Sequence, residues 1–139
     1  MIKDMGFAYD EKKFYLNDKC FIFSGEKLKY LLGVFNSKLF RFCYEDRFPE
    51  LQGNAREIKS FVMKELSVKY PTTKEEDEIA RRVAKIFLKK ESGKETKKLE
   101  QEIDVFVYQI HGLTFTEACF VQGNFDWMSE EEYNNFSIS

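Results

Sequence analysis

The pattern of apolar and polar residues changes along this chain from short aromatic runs to helical spacing. Near the N-terminus, the stretch FAYDEKKFYLNDKCFIFSGE holds two aromatic, β-prone runs, Phe14–Leu16 and Cys20–Phe23, separated by a turn-forming Asn-Asp-Lys. Ser24-Gly25 ends the second run. This pattern predicts a β-hairpin.

Apolar residues then recur every three or four positions from about Glu26 to Tyr44, which predicts an amphipathic helix. Gly33 and Asn36-Ser37 are weak helix formers in its middle, so they either permit close packing or mark a kink. The apolar positions are Leu28, Leu31, Leu32, Phe35, Leu39, Phe42 and Cys43.

A polar loop, FPELQGNAREIK, runs from Phe48 to Lys59 and separates this helix from a second apolar stretch. That stretch predicts a short helix followed by an extended exit segment, because Pro71 disfavours the α conformation at Tyr70. Its helically spaced residues are Ile58, Phe61, Val62 and Leu66.

The last third of the chain predicts two amphipathic helices, 74–91 and 95–111, joined by a turn at Gly93. Thr72 or Thr73 can cap the first helix, and Gly112 ends the second. Two such helices form an antiparallel hairpin. Their apolar seams are Ile79, Val83, Ile86 and Phe87, and Leu99, Ile103, Phe106, Val107 and Ile110.

We therefore predict an α+β fold, in which a small β-hairpin or sheet packs on helices and is followed by an antiparallel helical hairpin and a short C-terminal helix. The short helix begins at the Thr114-Phe115-Thr116-Glu117 capping box and runs to about Val121. The predicted units are an N-terminal domain over 1–70, a helical unit over 71–123 and a polar, partly disordered tail over 124–139.

Composition narrows the class of protein. The 139 residues are 43% hydrophobic and 17% aromatic, which suffices for a core, and no window is apolar enough for a membrane span. Three scattered cysteines without a CxxC pair predict reduced thiols in a cytoplasmic protein. The net charge is −2, with 13 Lys+Arg against 10 Asp+Glu in residues 1–70 and nine against 14 in residues 71–139. The split is either chance or a basic working half joined to an acidic structural half.

Catalytic patterns are missing from the sequence, which contains no GxGxxG, P-loop, HExxH or GxSxG motif. His111 is the only histidine and sits at a helix end without advertised partners. Glu50 and the triplet Glu57-Ile58-Lys59 loosely resemble a Mg²⁺ nuclease site, but only six residues separate them. We therefore predict a chain that is not an enzyme, with no cofactor and no metal.

A DNA-binding interpretation fits the polar loop better. Arg pairs with guanine, Gln or Asn pairs with adenine, and Gln52, Asn54 and Arg56 lie close together around Gly53. The alternative is an ordinary surface turn. Phosphate contacts are available from Lys12, Lys13, Lys19, Lys38, Arg41, Arg47, Lys59 and Lys64.

The stretch YLLGVFNSKLFRFCYEDRFPELQGNAREIKSFVMKEL resembles the C-terminal target-recognition segment of type IIG restriction-modification enzymes, the family with a TaqI-like specificity domain. The hairpin stretch at 7–26 looks like the strand pair that precedes it, and LEQEIDVFVYQIHGLTFTEACFVQG is similar to the closing helices of that family. The resemblance covers roughly residues 5–123. Ser67 replaces the usual proline of the exit strand, and His111 replaces a tyrosine.

The resemblance implies a non-catalytic DNA target-recognition module, with residues 1–70 as a partial recognition domain. The parent enzyme would be an adenine-specific DNA methyltransferase and endonuclease, whose Asn-Pro-Pro-Tyr-type motif and S-adenosylmethionine loop are missing here. The implied partner is double-stranded DNA, and helices 74–91 and 95–111 would act as spacer or homodimer surface. The alternative is a structural module that self-associates through this hairpin and has lost DNA binding.

Overall fold

The computed structural model describes residues 6–13, 15, 21–47, 50–51, 55–56 and 60–136, with only the backbone of 50–51, 55–56 and 60–62. Within these residues the chain is mostly helical, and the one strand pairing is two residues long. The helices are α1 Leu28–Phe35, α2 Lys38–Arg47, α3 Ser60–Glu65, α4 Thr73–Glu91, α5 Lys97–Ile110, α6 Phe115–Gln122 and α7 Glu130–Asn135. The strands are β1 Glu50–Leu51 and β2 Ala55–Arg56.

The predicted α+β class is wrong, because no β-hairpin or sheet packs on the helices in the described part of the chain. Tyr15 and residues 21–23 form no strand, while Phe14, Leu16 and Cys20 of the predicted hairpin lie outside the described residues. The aromatic rings pack on a helix instead. Phe7 and Phe23 lie with their ring centroids 5.0 and 5.4 Å from that of Phe35. Aromatic residues favour strands through such packing, so a helix surface can use the same rings without a ladder.

The single helix predicted from about Glu26 to Tyr44 is broken at Asn36-Ser37 into α1 and α2. The Ser37 hydroxyl donates to the Val34 carbonyl at 2.6 Å and accepts from the Phe40 N–H at 3.3 Å. Local bonds of this kind let Ser compete with the helical ladder and start a new helix. Asn36 also ties down the N-terminal segment, since its side chain exchanges two hydrogen bonds with the backbone of Phe7, each 3.0 Å.

α4 and α5 form the antiparallel hairpin that the sequence predicts, and α1 lies across it. Arg82 of α4 pairs with Glu102 of α5 at 2.9 Å, and nearer the tip Lys90 pairs with Glu100 at 3.4 Å. Gly33 lets the α1 backbone approach α4. The three helices bury one core of Tyr30, Val34, Ile79, Val83, Ile86, Ile103, Phe106, Val107 and Ile110. None of the helices in the described residues is long and apolar enough to cross a membrane.

The C-terminal residues form a capped helix that the sequence analysis did not predict. Ser129 and Glu132 make a capping box at the start of α7. Tyr133 is only 3% exposed, and its hydroxyl donates to the Leu113 carbonyl at 2.8 Å. A second core therefore joins α5, α6 and the tail, and it contains Val105, Tyr108, Ala118, Phe125 and Tyr133.

Candidate nucleic-acid interface

The exposed face of α2 carries two of the predicted phosphate-binding residues. Lys38 and Arg41 are both exposed and lie one turn apart, so they share one face of the helix. The Arg41 Nε donates to Glu45 Oε1 at 3.0 Å, and both side chains are about half exposed. An exposed pair of this kind contributes little to stability. The structure thus brings together the cations of Lys38 and Arg41, with Glu45 beside them.

A buried carboxylate fixes the position of this helix. The Lys38 N–H, which has no acceptor within α2, donates to Asp104 Oδ1 of α5 at 2.9 Å. Asp104 is 8% exposed, and burial raises the pKa of its carboxyl to about 6, although the Lys38 N–H opposes this rise. Asp104 is a positioning residue that was not predicted from the sequence. The available signal was a single acid inside the apolar run IDVFVYQI.

The two helices that flank the polar loop meet at their ends. Arg47, the last residue of α2, lies 3.9 Å from Glu65, the last residue of α3, measured between Nη1 and Oε2. This contact holds the end of α3 near the end of α2, while the loop itself joins α3 at Ser60. An anchored loop on a rigid scaffold is a common way to present binding residues.

Within this loop, β1 and β2 pair antiparallel, with Glu50 opposite Arg56 and Leu51 opposite Ala55. This register makes residues 52–54 the connection between the two strands. Gln52, Asn54 and Lys59 lie outside the described residues, and Arg56 is described by its backbone alone, in β2. The roles of these four side chains as DNA contacts stay predictions.

Lys12 and Lys13 belong to a segment that crosses from α2 to α4. Phe7 packs against Phe40 of α2 with ring centroids 5.9 Å apart, and two residues later Tyr9 stacks on Phe87 of α4 at 6.0 Å. Both lysines are exposed, and the Lys12 N–H donates to Asp10 Oδ1 at 2.7 Å. Lys12 and Lys13 therefore follow a segment that packs on α4. They form a second group of cations, apart in sequence from Lys38 and Arg41 on α2.

A cleft of about 610 Å³ lies between α2, residues 65–67 and the end of α5. Its walls include Val34, Phe40 and Val107, and its polar groups include Arg47 and His111. It opens beside Arg47, where the polar loop leaves α2, and beside Glu65 at the end of α3. The cleft is thus a mainly apolar recess next to the candidate loop.

Both ring nitrogens of His111 are engaged in this structure. Nδ1 lies 2.8 Å from the Val107 carbonyl, which can only accept, and Nε2 accepts from the Lys69 N–H at 3.4 Å. These contacts describe a neutral ring protonated on Nδ1. His111 thereby links the exit segment to the end of α5.

The family comparison covers the part of the chain that carries this candidate interface. Residues 1–68 match the family model of the TaqI-like C-terminal specificity domain. The resemblance is thereby confirmed over these residues, and the matched family is a specificity domain rather than a catalytic one. The match ends before α4, so the helical hairpin and the tail lie beyond it. No curated protein and no solved structure matches this chain.

Proposed function

We propose that this chain is a non-catalytic DNA target-recognition module of a type IIG restriction-modification enzyme, and that it contacts duplex DNA through the 48–59 loop and the basic side chains of its N-terminal half. The observation that carries the proposal is the match of residues 1–68 to a specificity domain. In this function the loop reads base edges, while a separate catalytic domain does the chemistry.

The anchoring of the loop supports this proposal. A side chain that discriminates between bases has to be held in a defined place relative to the groove. The loop starts directly after α2, and the β1–β2 register pairs Leu51 with Ala55 on either side of its centre. Gln52, Asn54 and Arg56 would make the base contacts.

The α2 face supplies the contacts that position the module. Cations that touch phosphates carry no sequence information, but they set the register of the protein on the duplex. Lys38 and Arg41 are suited to this role because they are exposed on a helix that Asp104 ties to α5. Arg47, Lys59, Lys12 and Lys13 would add further phosphate contacts.

Self-association through the apolar seam of the hairpin is the less favoured function. Ile79, Val83 and Ile86 of that seam are 0%, 4% and 9% exposed, because α1 and α5 already cover them within one chain. A second copy would therefore need to use another surface of the hairpin.

Selection from a random pool of duplex DNA tests the proposed function. The purified chain should enrich a short sequence, and its affinity for that sequence should exceed its affinity for the starting pool. Binding without any enriched sequence would contradict a role in target recognition. Sedimentation of the same sample without DNA measures self-association separately.

A further inference from the structure

The positive charge of the second half of the chain is concentrated in one segment. Residues 81–98 contain eight Lys+Arg and two Asp+Glu, a net charge of +6 in a chain whose net charge is −2. Averaging over residues 71–139, which hold nine Lys+Arg and 14 Asp+Glu, hides this segment. We call the exposed cations of this segment the basic tip: Arg81, Lys85, Lys89, Lys90, Lys94, Lys97 and Lys98.

The basic tip extends along α4 to the connection and the start of α5. Arg81, Lys85 and Lys89 are exposed and recur every four residues, so they follow one face of α4 with a rise of about 6 Å between neighbours. The other members lie at the last turn of α4, in the connection and in the first turn of α5. Arg82 is excluded, because it turns inward to Glu102 and lies over the Phe106 ring at 4.3 Å.

Most of this charge is not neutralised by neighbouring carboxylates. Arg81 pairs with Glu78, and Lys90 pairs with Glu100 at 3.4 Å. Five members of the basic tip form no ion pair with any other residue that the structure describes, namely Lys85, Lys89, Lys94, Lys97 and Lys98. Lys89 donates only to the backbone carbonyl of Glu95, at 3.5 Å.

Helix stability explains only part of this arrangement. Lys89 and Lys90 lie in the last turn of α4, where the negative end of the helix dipole favours cations. Lys97 and Lys98 lie in the first turn of α5, where the same dipole disfavours them. A polyanionic ligand would offset this repulsion.

Two of the proposed phosphate contacts, Lys12 and Lys13, belong to a segment that packs on the same helix as the basic tip. Tyr9 stacks on Phe87, one residue before the exposed end of α4 begins at Leu88. Lys12 follows Tyr9 by three residues, so their Cα atoms are at most about 11 Å apart. The segment that leads to Lys12 and Lys13 therefore packs on α4, the helix that carries much of the basic tip.

We propose that the basic tip binds the phosphate backbone of duplex DNA, beside the target sequence that the loop reads. This inference rests on the proposed function for its ligand. It assigns a DNA-binding role to residues outside the 1–68 match. Contacts from the hairpin to phosphates would add affinity for DNA without sequence preference.

The test measures the salt dependence of binding to a labelled mixed-sequence duplex by fluorescence anisotropy. Each phosphate contact adds about 0.9 to the slope of log K against log salt concentration. Lys94→Gln with Lys97→Gln should therefore lower the steepness of that slope by about 1.8. Lys74→Gln, a charge change in the first turn of the same helix α4 and outside the basic tip, is the control and should leave the slope nearly unchanged. Circular dichroism verifies that each variant is folded.

The outcomes separate this inference from the proposed function. An unchanged slope in the double variant overturns the inference. The basic tip would then bind an acidic protein surface instead of DNA, and the selection of a target sequence would be unaffected. A reduced slope together with no enriched sequence supports the basic tip and contradicts target recognition. A chain that binds no duplex at low salt contradicts both.

Discussion

Asp104, on the buried face of α5, accepts a hydrogen bond from the backbone N–H of Lys38 at 2.9 Å. Lys38 is the first residue of α2, so its N–H has no acceptor within that helix. A carboxylate there also faces the positive end of the α2 dipole. This single bond ties the helix that carries Lys38 and Arg41 to the hairpin, across 66 positions of sequence.

The Asp104 carboxyl should make stability depend on pH. Burial raises the pKa of this carboxyl from its ordinary value of about 4 to about 6. Between about pH 4 and about pH 6 the folded chain therefore binds the proton more tightly than the unfolded chain does. Proton binding by the folded chain stabilises it at low pH, so the free energy of unfolding falls as pH rises from about 4 to about 6. Asp104→Asn removes the titration and keeps an oxygen acceptor for the Lys38 N–H. The unfolding free energy of Asp104→Asn minus that of the wild type, both measured with urea, should increase by about 3 kcal/mol between about pH 3 and pH 7.

Asp104→Ala is the control for this prediction, because it removes the acceptor as well as the charge. It leaves the Lys38 N–H without its acceptor in a partly buried place, which should cost about 1 kcal/mol of unfolding free energy. A difference between Asp104→Asn and wild type that stays constant with pH would contradict the raised pKa of this carboxyl.

Gly33 should be the position at which α1 tolerates no side chain. A Cβ there would lie 2.5 Å from Cγ2 of Ile79 and 3.5 Å from Cγ2 of Val83. Overpacking costs about 1–3 kcal/mol, while replacing a helical glycine by alanine gains at most about 1 kcal/mol. Gly33→Ala should therefore lower the unfolding free energy by about 1–2 kcal/mol, measured by urea denaturation.

A second substitution tests the cause of that loss. Ile79→Ala alone should cost about 2–5 kcal/mol, because it leaves a cavity in the core. In that background the added methyl of Gly33→Ala has room, and the loss should shrink or reverse. Additive effects of the two changes would show that contact with Ile79 is not the cause.

The hairpin could be predicted from sequence because its apolar residues recur at helical spacing and its first helix starts at a Thr-x-x-Glu cap. Predicted helices at 74–91 and 95–111 correspond to α4 at Thr73–Glu91 and α5 at Lys97–Ile110. The break between α1 and α2 was harder to predict from the sequence, because an acceptor 66 residues away helps to start α2. Local sequence cannot show that an acid such as Asp104 will meet a helix start.

The β-hairpin prediction failed because aromatic residues signal packing rather than a particular backbone. Phe7 and Phe23 pack against the α1 residue Phe35, so the partner of these rings is a helix, and nothing in a local pattern identifies it. The basic tip was hidden for another reason, since charge counted over half the chain averages a segment of +6 with acidic surroundings. Counting charge in shorter windows would have found it.

The tail escaped prediction because its aromatics are separated by polar residues and pack on α5 and α6 rather than on one another alone. Tyr133 is central to this packing, with its ring 5.7 Å from that of Phe115 and its hydroxyl bonded to the Leu113 carbonyl. Tyr133→Phe should lower the unfolding free energy by about 1 kcal/mol through loss of one hydrogen bond. Tyr133→Ala should lower it by about 3–5 kcal/mol. Equal effects of the two changes would mean that the ring contributes little.

The loop prediction concerns specificity rather than affinity in general. Gln52→Ala with Arg56→Ala should reduce the preference for the enriched sequence over other duplexes, by about 1–3 kcal/mol for each bidentate pairing with a base that the substitution abolishes. Arg41→Ala should instead weaken binding to all sequences and lower the steepness of the salt slope by about 0.9, because Arg41 is proposed to bind a phosphate. Competition between the enriched duplex and a scrambled duplex, followed by fluorescence anisotropy, separates the two effects.

Stability measurements complete the comparison of these variants. The double loop variant should unfold at the same urea concentration as the wild type, because the proposed role of Gln52 and Arg56 is to face DNA rather than the core. An unchanged binding isotherm for this variant would reject the role of the loop, even if the chain binds duplex DNA. The Arg41→Ala result would then show whether phosphate contacts from α2 alone account for the binding.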